Sequence, residues 1–120
     1  MIFENWSRCR EYLLPAIEMT KGTHDEDDIL RGLMCGDYLL WALKNSAIVT
    51  EFIEYKSAKK KTLHFFLVGG DLDELLEVEP KICEWGKAQG CTRVSWAGRK
   101  GWEKVMPGYE FGALYMYKDI

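Results

Sequence analysis

Between Ala47 and Val68 the sequence runs twice through β-branched and aromatic residues, first as Ala47-Ile48-Val49-Thr50-Glu51-Phe52-Ile53-Glu54-Tyr55 and then as Thr62-Leu63-His64-Phe65-Phe66-Leu67-Val68. Only the lysine-rich stretch Lys56–Lys61 separates them, a spacing that predicts an antiparallel hairpin with a solvated tip. The second run passes directly into Gly69-Gly70-Asp71, after which Leu72, Leu75, Leu76, Ile82, Trp85 and Gly86 recur at helical spacing. These six mark the expected buried side of a helix that ends at Gly90 and that Pro80 should bend or break in two.

Upstream, Trp6, Cys9, Leu13 and Ile17 predict an amphipathic helix over Glu4–Thr20, which Pro15 should kink or end early and Lys21-Gly22 should close. Thr23-His24-Asp25-Glu26 has the form of a capping box, and Asp25, Asp27 and Asp28 suit the positive end of the helix that follows. Ile29, Leu30, Leu33 and Met34 form its apolar face, and Gly36 ends it. The short apolar run Tyr38–Leu43 turns at Lys44-Asn45-Ser46 into the hairpin. Downstream, a short strand is expected at Thr92–Ala97, a short helix at Trp102–Met106 and a closing strand at Gly112–Lys118. The fold class is therefore α/β, with a mixed, largely antiparallel sheet flanked by helices, in one domain over residues 1–120.

A net charge of −3 argues against non-specific coating of nucleic acid, which needs clustered positive charge. No apolar run approaches the roughly 20 residues that span a bilayer, and the start Met1-Ile2-Phe3-Glu4-Asn5 lacks the pattern of a secretory signal, so a cytosolic setting is expected. Cys9, Cys35, Cys83 and Cys91 form no C-x-x-C pair, and His24 and His64 share no motif with them. No metal site is expected, and the acids Asp25–Asp28 are accounted for as helix-capping groups.

The order of elements, and its ending in particular, resembles the GNAT acetyltransferase fold. In that family a strand runs into a loop and helix that hold the pyrophosphate of acetyl-CoA; a further strand, a short helix and a Gly-aromatic turn follow. Leu63–Val68, Leu72–Gln89, Arg93–Ala97, Trp102–Met106 and Tyr109–Lys118 fall in those slots. A second resemblance rests on Gly22-Thr23-His24, Ser46–Glu51, Gly69–Leu75, Gln89-Gly90-Cys91 and Gly98–Val105, which look like a group of small proteins of tailed phages and prophages. Its members are mostly of unassigned function, so that resemblance implies a phage setting, in the host cytoplasm or the virion, and no reaction.

The family resemblance makes Gly69 and Gly70 the candidate cofactor-binding residues, since glycines let backbone approach a ligand. The family's loop, however, has the pattern Arg/Gln-x-x-Gly-x-Gly/Ala, and here Asp71, Asp73 and Glu74 place negative charge where a phosphate needs attraction. Acetyl transfer wants a base near the amine and a proton donor for the leaving thiolate. Glu51 or Glu54 is the candidate base, and Tyr109 falls near the family's usual tyrosine. Arg99, Lys100 and Trp102, in Gly98-Arg99-Lys100-Gly101-Trp102, combine residue types that anchor protein partners. The leading expectation is a non-catalytic GNAT-like phage protein without a cofactor, working through contacts with phage structural or assembly proteins and forming an oligomer within a particle. The alternative is an acetyl-CoA-dependent N-acetyltransferase with an atypical cofactor loop, and a weaker one is a phage inhibitor of a host protein.

Overall fold

The computed structural model describes residues 2–96, 106–110, 112, 116 and 118–120, with backbone alone at residues 2 and 3. Its elements are α1 (Ile2–Glu18), α2 (Glu26–Cys35), β1 (Tyr38–Ala42), β2 (Ser46–Tyr55), β3 (Lys60–Gly70), α3 (Leu72–Ala88) and β4 (Arg93–Trp96). The strands lie in the order β1-β2-β3-β4; the first two pairings are antiparallel and β3–β4 is parallel. The expected mixed, largely antiparallel sheet flanked by helices is the one observed. The short helix at Trp102–Met106 and the closing strand at Gly112–Lys118 lie largely outside the described residues.

Helices cover both faces of the sheet. On one face Trp6, Cys9, Leu13 and Ile17 of α1 and Ile29 and Leu33 of α2 pack on Ala47, Val49 and Leu67. On the other, Leu75 and Ile82 of α3 pack on Ile48, Leu63 and Phe65, with Trp41, Phe52, Trp85 and Trp96 around them. Strand alternation sends neighbouring residues to opposite faces, which is why Ile48 and Val49 belong to different cores. Arg10 ties the two helices of the first face together through a two-pronged bond to Glu26 (2.7 and 2.9 Å).

Several local expectations need correction. Both prolines are carried inside continuous helices, Pro15 in α1 and Pro80 in α3. Each is flanked by buried anchors, Leu13 and Ile17 for the first and Leu75 and Ile82 for the second, so packing holds the helix on either side of the missing amide. The capping box of α2 is formed by Asp25 and Asp28, not by Thr23 and Glu26: Asp28 N–H donates to Asp25 (2.9 Å), and Asp25 N–H donates back to Asp28 (3.0 Å). Thr23 instead donates its hydroxyl to Thr20 O (2.9 Å) in the preceding turn. Met34 and Leu72, read as buried, are 61% and 39% exposed. Lys61 is not part of a free tip; its ammonium lies 4.2 Å from the centre of the Phe52 ring and donates to Gln89 O, lashing the end of α3 to β3.

The long hairpin contains one irregularity. From Tyr55–Lys60 to Thr50–Phe65 the pairs run in one register, and from Val49–Leu67 onward they run in another, leaving Phe66 as the extra residue of a β-bulge in β3. The parallel pairing with β4 spans Thr62–Arg93 to Phe65–Trp96, ending one residue before the bulge.

Candidate functional site

A polar row crosses the four described strands beside that bulge. Tyr38 of β1 pairs with Glu51 of β2, Glu51 with His64 of β3, and His64 with Ser95 of β4, so all four side chains share one face of the sheet. It is the face of α1 and α2, since Tyr38 and Phe66 pack against that core and the Tyr38 ring fills the space beside Gly32 of α2. The α1–α2 connection adds His24, whose ring meets Phe66 edge-on at 4.9 Å; His64 lies 6.4 Å from the same ring. An open cleft bordered by Leu14, Ile17, Glu18, Gly22, His24 and Asp25–Asp27 adjoins His24, and its charged rim is acidic.

Electrostatics set each group of the row. Burial pushes the Glu51 carboxyl above its ordinary range, with Asp37 adding to the rise and His24 opposing it. Burial pushes His64 below its ordinary value, which keeps the imidazole neutral near pH 7. Its Nδ1 stands 2.8 Å from Ser95 Oγ. With Nδ1–H donating to Ser95, Nε2 is free to take a proton. Tyr38 is raised by burial, then by Glu51 and Asp37, so it stays a phenol.

Sequence reasoning named Glu51 and missed His64. The signal was present: a hairpin turning on Ser57-Ala58 pairs Glu51 with His64, the polar position between Leu63 and Phe65. Glu54, the other carboxylate considered, pairs with Lys61 and is exposed near the hairpin tip, on the opposite face from Glu51.

Tyr109 is likewise on the far side. Its hydroxyl donates to Glu79 Oε1 of α3 (2.8 Å), its ring meets Trp96 edge-on at 6.0 Å, and Cys83 Sγ donates to the same Glu79 oxygen (2.7 Å). Burial, and then Glu79, raises the Tyr109 phenol well above its usual value and pushes the Cys83 thiol up to about 12. Both groups hold their protons, and this clamp joins the chain after β4 to α3. Glu51 and Tyr109, expected as base and acid, are therefore not brought together.

Gly69 and Gly70 sit at the end of β3, where both are used by packing. A Cβ on Gly69 would collide with the carbonyl of Tyr12 in α1, and one on Gly70, at φ 114°, would collide with Asn45 and Ser46. The start of α3 is closed in the same way. The Asp71 carboxylate accepts from the amides of Asp73 (2.9 Å) and Glu74 (3.3 Å), and Asp71 N–H donates to Asn45 O (3.1 Å). Glu74 accepts from Asn45 N–H (2.9 Å) and from the Ser46 hydroxyl. Two of the amides that the helix start offers an anion are thus held by the Asp71 carboxylate, with the Glu74 carboxylate beside them, so these residues do not fit a pyrophosphate at this end. Arg99, Lys100 and Trp102 lie outside the described residues. Among the described residues no group of His, Cys, Asp and Glu is placed to hold a metal, and no helix is long and apolar enough to cross a membrane.

Among the described residues, two helices on one face, one on the other, a bulged hairpin and a parallel strand beyond it give a GNAT-like fold. Among solved structures the chain is similar to an aminoglycoside acetyltransferase from an uncultured soil metagenomic sample, in complex with sisomicin, at 13% identity and TM-score 0.63 over 98% of this chain and 88% of that one. It is also similar to an acetyltransferase from Trypanosoma brucei (13% identity, TM-score 0.58, covering 78% of this chain and 77% of that one). A third is a ribosomal-protein-alanine N-acetyltransferase from Brucella melitensis biovar Abortus (5% identity, TM-score 0.55, covering 96% and 92%). No protein-family model matches the chain, and no curated protein matches it. These likenesses, all to acetyltransferases, correct the expectation of a non-catalytic phage protein. The acidic loop led the sequence reading astray because it bears on how one helix end meets a phosphate, and not on the layers of the fold.

Proposed function

We propose that the chain transfers an acetyl group from acetyl-CoA to an amine, and that the polar row beside the bulge receives the amine. The observation that carries the reading is the likeness over 98% of the chain to an aminoglycoside acetyltransferase, together with the general base that the row supplies. An amine attacks a thioester only as the neutral base, so it must shed a proton into the site. His64 is neutral, is fixed by Ser95 and has a second nitrogen to accept that proton, which passes on to the departing thiolate so that the donor leaves as the free thiol. Glu51, one strand away, stabilises the resulting imidazolium and attracts a cationic acceptor, and the acidic rim beside His24 extends that attraction.

The test is incubation of the purified chain with acetyl-CoA and a panel of polyamines, aminoglycosides and peptide N-termini. Thiol release is followed together with the mass of each acceptor. Transfer to at least one amine, lost in His64→Asn while the fold is kept, is the expected result. No transfer to any acceptor and no binding of acetyl-CoA would sink the reading.

A further inference from the structure

We infer that this chain recognises its acyl donor through the thioester arm and not through the diphosphate, so that an acyl-pantetheine serves as well as the full nucleotide thioester. The inference rests on the transferase reading and specifies which part of the donor is bound. Its ground is the disagreement between the start of α3 and the anion that this fold is expected to hold there.

Three independent features close that end. Asp71 caps the helix with its own carboxylate and spends its own N–H on Asn45 O. Glu74 is drawn back over the β1–β2 turn by Asn45 N–H and the Ser46 hydroxyl, which holds a second carboxylate at the mouth. Gly69 and Gly70, whose bare backbone would otherwise form a cradle, are filled from behind by Tyr12 and by Asn45 and Ser46. An incoming diphosphate would have to displace Asp71 from the amides it caps and then lie beside the displaced carboxylate, Asp73 and Glu74. The thioester arm carries no such charge, and the polar row that receives the amine lies near the middle of β3, away from this end.

Salt gives the inference a signed readout. A diphosphate held by cations loses affinity as ionic strength rises; one that meets the net negative charge of Asp71, Asp73, Glu74 and Glu77 beside Lys44 and Lys81 does not, because screening relieves repulsion. The experiment is calorimetric titration of the full chain with acetyl-pantetheine and with acetyl-CoA, at low and high salt. Dissociation constants within about threefold of each other, with acetyl-CoA binding unchanged or tighter at high salt, are expected. Acetyl-CoA binding about tenfold or more tighter than acetyl-pantetheine, and weakening with salt, would overturn the inference and leave the transferase reading standing. Failure of both thioesters to bind would overturn both. The double variant Asp71→Asn, Asp73→Asn keeps a capping oxygen while removing two charges. It should change acetyl-CoA affinity by no more than about threefold; a gain of about tenfold would place the diphosphate at α3 after all.

Discussion

Burial acts on Glu51 and His64 in opposite senses, and the two face each other across β2 and β3. Glu51 has a folded-state value above its ordinary 4.5, so the folded chain binds more protons there than the unfolded one. Its contribution to stability is complete below 4.5 and is lost as pH rises through the folded value. His64 has a folded-state value below its ordinary 6.5, so the unfolded chain binds more protons. Its contribution is complete above 6.5 and is lost as pH falls through the folded value. In the parent chain the two slopes oppose one another between these limits. Thermal unfolding across this range should show the Glu51→Gln variant gaining stability with rising pH more steeply than the parent. The His64→Asn variant should do the reverse. Equal slopes in parent and variants would mean that neither group is held as buried as it is here.

At the scale of elements, helix α3 shows how far sequence patterns carry. The burial of Leu75, Ile82 and Gly86 was legible, because helical spacing is local. The uninterrupted passage through Pro80 was not, because what holds the helix there is contact with β3 and β2, far away in sequence. The cap of α2 was misplaced by two residues for a different reason: Thr and Asp both suit the position, and the box closes on Asp28, not on the Glu that the usual pattern demands. Asp71→Ala should cost about 1 kcal/mol in urea unfolding, while Asp71→Asn, which retains a capping oxygen, should stay close to the parent. Equal losses in both variants would show that charge against the helix dipole, and not the hydrogen bond, is what Asp71 contributes.

Across the whole molecule, the order of elements and the layers followed from the sequence, whereas the site depended on the register of the strands. The hairpin centre could have paired Glu51 with His64, but nothing local placed Tyr38 and Ser95 in line with them from the two outer strands. Nor did residue type reveal that Tyr109 would be taken up by Glu79 on the other side of the sheet. One close approach between the layers is backbone on backbone: Gly69 of β3 against the carbonyl of Tyr12 in α1. Gly69→Ala should therefore push α1 off the sheet, with a loss of about 2 kcal/mol or more by thermal unfolding, well beyond the effect of Gly22→Ala in an open turn. A loss no larger than that of Gly22→Ala would show that α1 can shift at little cost.

That fit at Gly69 has a bearing on how variation in this chain is interpreted. In a library selected only for folding, position 69 should tolerate a single amino acid, while the solvent-facing side of the same loop admits several. A glycine that never changes, at the place where this fold is expected to meet a phosphate, would ordinarily be taken as the imprint of a ligand. Here the intolerance comes from the neighbouring helix, and it would persist in a chain that had never encountered a nucleotide.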